Sequence, residues 1–215
     1  MRVEIWSDVV CPWCFIGKVR FDKAVDALRA KGISEPIDVV FRAFQLDPTA
    51  PVDTSTPVVD AYAKKFGGQE RAHQILNHVT QVAAADGIEF NMDIALRANT
   101  INCHRALHWA LENYGSAQQV DFKQRLLRAY FTEGLNVGDC DVIVECAKEC
   151  GLDSAQLDEW LRSGAGFEEV RKDLSAAAER EITAVPSFVI NDQFLIPGAQ
   201  DPEVFVNVLE RILSK

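Results

Sequence analysis

The sequence predicts an α/β fold in which a βαβ unit and a ββα unit build one sheet, interrupted by an all-helical block. Three observations carry this expectation. Up to about residue 46 the pattern reads strand, helix, strand; from about 57 to 182 it reads as helices only; and a hairpin signal followed by one amphipathic helix closes the chain. Neither end has enough strands to bury a core alone, so joining them into a four-stranded sheet is the natural solution. The expected division is a discontinuous domain over residues 1–50 and 183–215, carrying a helical insertion over 51–182.

Residues 3–9 alternate weakly, with Val3 and Ile5 on one face, and suit a short strand. Cys11 follows, and Pro12 stands where the first turn of a helix has no use for an N–H. Phe21, Ala24, Val25 and Leu28 recur at helical spacing up to a stop at Lys31-Gly32. Residues 37–46 are rich in β-branched and aromatic side chains and read as a second strand, parallel to the first. A linker with three prolines spans 47–57. Helices are then expected over 57–66, 69–86, 94–114, 118–133, 141–150, 153–163 and 167–181, with glycines between them as stops. Residues 187–190 and 193–196 flank Asn191-Asp192 as a hairpin, although that pair is weaker turn chemistry than Asn-Gly. The last helix, 202–213, places Val204, Phe205, Val208, Leu209 and Ile212 on one face.

Composition bounds the function. With 215 residues, 48% hydrophobic and 25% charged, the chain has the material of a soluble globular enzyme rather than of a disordered segment. A net charge of -10 repels polyanions and argues against nucleic-acid binding. Between Asp139 and Glu181 stand 12 acidic and 5 basic residues, read as a solvated helical face of the insertion. No apolar run approaches the roughly 20 residues that span a bilayer, so no membrane partner is expected. The N-terminus lacks the apolar stretch of a signal peptide, which points to a reducing cytoplasm. There, close cysteine pairs are more often catalytic or metal-binding than structural.

Six cysteines occur, at Cys11, Cys14, Cys103, Cys140, Cys146 and Cys150. Cys11-Pro12-Trp13-Cys14 stands between a strand and a helix. Unpaired N–H groups and the positive end of a helix dipole favour a thiolate on Cys11, and the two-residue spacing lets Cys14 attack a mixed disulfide formed there. Cys11 is therefore expected to be the attacking thiol, with Cys14 resolving, more buried and less acidic. Half of a zinc site is the competing reading, but no second Cys-x-x-Cys follows and no metal site is assigned. A pair of buried small residues is the other. Before the closing hairpin, Thr183-Ala-Val-Pro186-Ser187 puts a proline at a strand entry, where a cis Val185–Pro186 bond would be a deliberate feature and a plain turn is the alternative.

Together these segments resemble the thioredoxin superfamily, whose redox motif faces a cis-proline loop, and the helical interruption resembles its DsbA-like branch. Closer still, Asp-Val-Val-Cys-Pro-Trp-Cys (8–14), Thr-Ala-Val-Pro-Ser-Phe-Val-Ile (183–190) and Ile-Pro-Gly-Ala-Gln-Asp-Pro-Glu-Val-Phe (196–205) are similar to cytoplasmic FrnE-type proteins, as are Asn99-Thr100 and His104-Arg105. The resemblance spans nearly the whole chain and implies a thioredoxin-like fold with a helical insertion. It further implies protein thiol–disulfide exchange by Cys11 and Cys14, with Val185 and Pro186 holding an extended substrate segment. Protein thiols and disulfides are then the partners. No cofactor is implied, although glutathione is open as reductant or co-substrate.

Several roles stay open at this point. Asp8 could relay a proton near the thiols or cap the helix; Pro12 and Trp13 could offer an apolar face to substrate, or Trp13 could pack on the insertion. Cys146 and Cys150, four apart at a helix end, could form a second redox pair, as FrnE-type proteins can carry, or be buried small hydrophobes. The four histidines read as solvent-facing or packing residues. Related glutathione-dependent isomerases of 2-hydroxychromene-2-carboxylate and kappa-class transferases typically carry serine where this chain has Cys11, so that activity is the enzymatic alternative. A chaperone-like or zinc-holding binding module is the non-enzymatic one.

Overall fold

Period-two burial builds the sheet. In β1 (Arg2–Ser7), Val3 and Ile5 are buried on one side and Trp6 on the other. β2 (Asp38–Ala43) lies parallel to β1, with Phe41 beside Ile5. β5 (Ser187–Ile190) runs antiparallel along the other edge of β1, Phe188 opposite Ile5, and β6 (Phe194–Pro197) extends it antiparallel. The order β2-β1-β5-β6 therefore unites the two ends of the chain in one sheet. At the β5–β6 turn, Asn191 and Asp192 both adopt left-handed φ values, 49° and 59°, which short polar side chains tolerate. The structure is a computed structural model and describes residues 1–52 and 54–214; Asp53, in the proline-rich linker, and Lys215 lie outside the described residues.

Helices cover both faces. α1 (Pro12–Ala30) and α9 (Pro202–Leu213) pack on the side of Ile5, where Phe21, Phe188 and Phe205 meet with ring centroids 4.8–5.5 Å apart. α8 (Phe167–Glu179) crosses the other face, and Trp6 Nε1 donates to its Asp173 carbonyl at 3.1 Å. The remaining helices are α2 (Val58–Phe66), α3 (Gln69–Ala85), α4 (Ile101–Tyr114), α5 (Ser116–Phe131), α6 (Cys140–Glu149) and α7 (Ser154–Arg162). Their core also takes in Val9, Phe15 and Ile16 from the two sides of the cysteine motif. Phe15 lies 5.9 Å from Phe90 and 6.1 Å from Phe131, so the residue after Cys14 is anchored in the helical block. Among the described residues no helix is long and apolar enough to cross a membrane.

The expectation of helices only between 57 and 182 is corrected. β3 (Thr56–Pro57) pairs antiparallel with β4 (Leu96–Arg97), and the helix expected from 94 begins only at Ile101. Apolar spacing over 94–100 imitates a helix, but the backbone there bonds elsewhere: the Ala95 carbonyl accepts the Val58 N–H at 2.9 Å. Edge strand β2 is closed by side chains. Gln119 of α5 accepts the Phe41 N–H at 2.8 Å and donates to the Phe41 carbonyl at 3.0 Å, taking the place a further strand would occupy.

Candidate active site

Where β1 ends at Ser7, three residues carry the chain to Cys11, the N-cap of α1. Among the described residues no side chain caps this helix, and the Cys14 and Phe15 amides bond back to the Cys11 carbonyl at 3.0 and 3.4 Å. The expected difference in burial is absent: Cys11 and Cys14 are each 2% exposed. The expected order of acidity is also reversed. The Cys14 thiol is lowered from its ordinary value: burial opposes the charge, but the Cys11 S–H, the Lys123 ammonium, the Ser7 hydroxyl and the Asp8 amide together outweigh it. Cys11 is raised well above the ordinary value, first because it is hydrogen-bonded to Cys14 and then by burial. The two thiols titrate as one pair, since a charge on Cys14 opposes a second charge on Cys11. The Lys123 ammonium favours charge on Cys14, against the helix-terminus field that favours Cys11.

Lys123 belongs to a buried charged cluster. Asp8 is fully buried, and its carboxylate accepts the Val9 N–H at 2.8 Å, the Leu46 N–H at 2.7 Å and His104 Nε2 at 3.2 Å. Burial pushes its acidity down in strength, but His104, the Leu46 amide and Lys123 outweigh that and hold its carboxyl below the usual range. The capping reading of Asp8 is therefore corrected, since its oxygens bond elsewhere. His104 of α4 is buried at 3% exposure and belongs to the site, where the histidine reading expected a solvent-facing or packing residue. Lys123 of α5 is 0% exposed, and its Nζ has no hydrogen-bond partner among the described residues. Beside it lies a narrow cleft lined by Arg42, His104, His108, Gln119, Lys123 and Asp173.

Sequence reasoning missed Lys123, although a signal existed. Gln119, Lys123, Leu126, Leu127 and Tyr130 fall on one buried face of α5, so the lysine interrupts an apolar stripe. A charged residue at such a position either pairs or works.

On the open side, the Val185–Pro186 bond is cis. Cys11 Sγ donates to the Val185 carbonyl at 3.7 Å, which places the cysteine pair and the loop face to face. The loop is held from below. Gly17 of α1 lies under Pro186, where a Cβ would stand 2.8 Å from the proline Cγ, and the Pro186 carbonyl accepts the Gly198 N–H at 2.7 Å. Pro12 is buried, whereas Trp13 is 39% exposed and does not pack away on the insertion. Leu46, whose amide bonds Asp8, is exposed, and exposed Phe66 pairs with Tyr62 at 5.3 Å. Burial, and then the charge of a Cys11 thiolate, push the Tyr62 hydroxyl up to about 12, so it stays protonated.

The other cysteines lie in the insertion. Cys103 Sγ donates to the Val137 carbonyl at 3.0 Å and is pushed well up by burial. Cys146 is buried within α6 and raised to about 11 by burial, while Cys150 caps the helix and is raised by burial as well. All six cysteines are free thiols here. Among the described residues no three His, Cys, Asp or Glu side chains converge to hold a metal ion.

The chain matches the DSBA-like thioredoxin domain over residues 2–210. It is 31% identical over 207 residues to the uncharacterized protein YwbO of Bacillus subtilis, covering 95% of this chain and 94% of that one. The crystal structure of a probable DsbA oxidoreductase from Streptomyces coelicolor superposes with a TM-score of 0.90 at 34% identity, over 100% of this chain and 91% of the other. The cytosolic disulfide reductase DsbM of Pseudomonas aeruginosa, also solved with GSH, shares the fold with a TM-score of 0.64 at 19% identity, over 100% and 99% of the two chains. The chain therefore belongs to the DsbA-like thioredoxin family.

Proposed function

We propose that this chain is a thiol–disulfide oxidoreductase of the cytoplasmic FrnE type, exchanging disulfides with proteins through Cys11 and Cys14. The observation that carries the reading is the placement of Cys11 Sγ 3.7 Å from the Val185 carbonyl, between the second cysteine and the cis-proline loop. An extended substrate segment pairs with the Val185 backbone as an added strand, while exposed Trp13 receives its side chains. Pro12 and Pro186 shape the two walls of that slot.

In the reducing direction, Cys11 passes its proton to Cys14 and attacks one sulfur of a substrate disulfide. The substrate S–S bond breaks, its second sulfur leaves as a thiolate, and a Cys11–substrate mixed disulfide forms. Cys14 gives that proton to the departed substrate thiolate and attacks Cys11 Sγ; the Cys11–substrate S–S bond breaks, the Cys11–Cys14 bond forms, and the other substrate sulfur leaves as a thiolate. The oxidising direction is the same sequence reversed. Glutathione fits as the thiol that reduces the pair again, a role supported by the GSH-bound structure of DsbM. The cytosolic setting of that relative likewise supports the cytoplasm as the compartment.

The test removes the resolving thiol. Cys14→Ser is expected to accumulate mixed disulfides between Cys11 and protein partners, visible as higher-mass species that collapse on reduction. If Cys14→Ser yields no trapped species under conditions where the wild type reduces insulin, the assignment of Cys11 as attacker and Cys14 as resolver is wrong.

A further inference from the structure

The exchange sequence makes no use of the buried cation on α5. Lys123 is 0% exposed, and its Nζ has no hydrogen-bond partner among the described residues. The Phe41 ring lies 5.4 Å from Nζ, a cation–π contact and no more. Burying an ammonium without a partner costs several kcal/mol, so that contact does not account for it. The compensation must come from charge nearby.

The groups around the ammonium are few. α1 supplies Cys11 and Cys14, the β1–α1 turn supplies Asp8, and α4 supplies Cys103 and His104. Arg42 of β2, His108 of α4 and Asp173 of α8 line the same cleft. Arg42 is engaged with Glu4 and Asp173, and Asp173 also accepts the Ala43 N–H. Burial lowers the Lys123 ammonium from its ordinary value, which the charges of a Cys14 thiolate and then of Asp8 oppose, while both Asp8 oxygens are already taken by two amides and His104. Cys103 is held neutral by burial. The oxidised Cys11–Cys14 pair offers the lysine no charge; the reduced pair offers a thiolate.

We propose that Lys123 is the counter-ion of the thiolate in the reduced Cys11–Cys14 pair, so that the helical insertion, through this one side chain, sets how readily the disulfide is reduced. The proposal rests on the disulfide-exchange reading above. Lys123 is a positioning residue here, acting on the thiolate by its field and not by contact with substrate. The balanced reaction with glutathione takes two GSH and the intramolecular disulfide to one GSSG, one Cys thiol, one Cys thiolate beside Lys123, and one proton released to solvent. Without the lysine, both cysteines keep their protons and the reduced form loses that stabilisation.

The test compares the wild type with Lys123→Met, an apolar side chain of similar length, in buffers of GSH and GSSG. The pH at which ultraviolet absorbance reports the thiolate is expected to rise by at least about one unit. One unit is a tenfold weaker hold on the thiolate, so above that pH the equilibrium constant for reduction by glutathione falls about tenfold. A second readout separates this from packing. The variant's oxidised form, relieved of an uncompensated charge, is expected to gain thermal stability, while its reduced form gains less or loses. Lys123→Gln tests the same two quantities should Lys123→Met fail to accumulate. An unchanged thiolate onset and an equilibrium constant within twofold of wild type would overturn the proposal. So would equal stability shifts in both redox forms. A wild type that does not equilibrate with glutathione or protein thiols at any pH defeats the functional reading itself, and this proposal with it.

Discussion

Cys11→Ser stops disulfide exchange, lowering insulin reduction by roughly 10⁴-fold or more, as in other covalent catalysts stripped of their nucleophile. A serine hydroxyl neither forms a disulfide nor ionises near neutral pH, so no mixed disulfide with substrate arises. The fold should tolerate the change. Cys11 lies at the helix start with the Val185 carbonyl as acceptor, and a hydroxyl can donate there too. Thermal unfolding is therefore expected to stay within about 1 kcal/mol of wild type. The same variant separates the principal alternative. A glutathione-dependent isomerase or transferase places a serine at this position, so on that reading Cys11→Ser keeps its activity.

The largest effect on stability is expected from Phe188→Ala. Phe188 is fully buried in β5, opposite Ile5 on β1 and Ile196 on β6. Its ring stacks on Phe21 at 5.5 Å and meets Phe205 edge-on at 4.8 Å, so one side chain ties the sheet to α1 and α9. Removing it leaves a cavity among rigid partners and costs about 3–5 kcal/mol. Typical domains are stable by only about 5–15 kcal/mol, so this is a large share of the whole. The urea midpoint should fall with little change in slope. Phe188 also follows Pro186 and Ser187 in sequence, so exchange activity should be lost at lower temperature than in wild type. A loss below about 1 kcal/mol would mean that the three rings do not form the joint described.

Much of this was legible from local chemistry. Proline at the first turn of a helix, alternating Val3 and Ile5, and glycines between apolar repeats are short-range signals, and they placed the main strands and helices. The β3–β4 ribbon was not legible because its two strands have two residues each and lie 40 residues apart. No period exists over two residues. The cysteine pair and Pro186 were visible for the same reason: they are rare residue types at rare positions. His104, Lys123 and Gly17 act at the site only because separate elements converge there. His104 and Lys123 come from α4 and α5, and Gly17 matters because Pro186, 169 positions later, lies on it. The acidity of the thiols follows that convergence as well. A helix dipole can be read from a sequence, but a lysine 109 positions after Cys14 that lies near it cannot.

A redox titration tests the central claim most directly. The wild type is equilibrated across GSH/GSSG ratios, quenched with an alkylating agent, and its cysteines are mapped by peptide mass spectrometry. Cys11 and Cys14 should pass together from alkylated thiols to one disulfide in a single two-electron step. Cys103, Cys140, Cys146 and Cys150 should remain alkylated throughout. A Cys11–Cys14 pair that stays reduced at every ratio, or a disulfide that forms only among the insertion cysteines, would contradict the account.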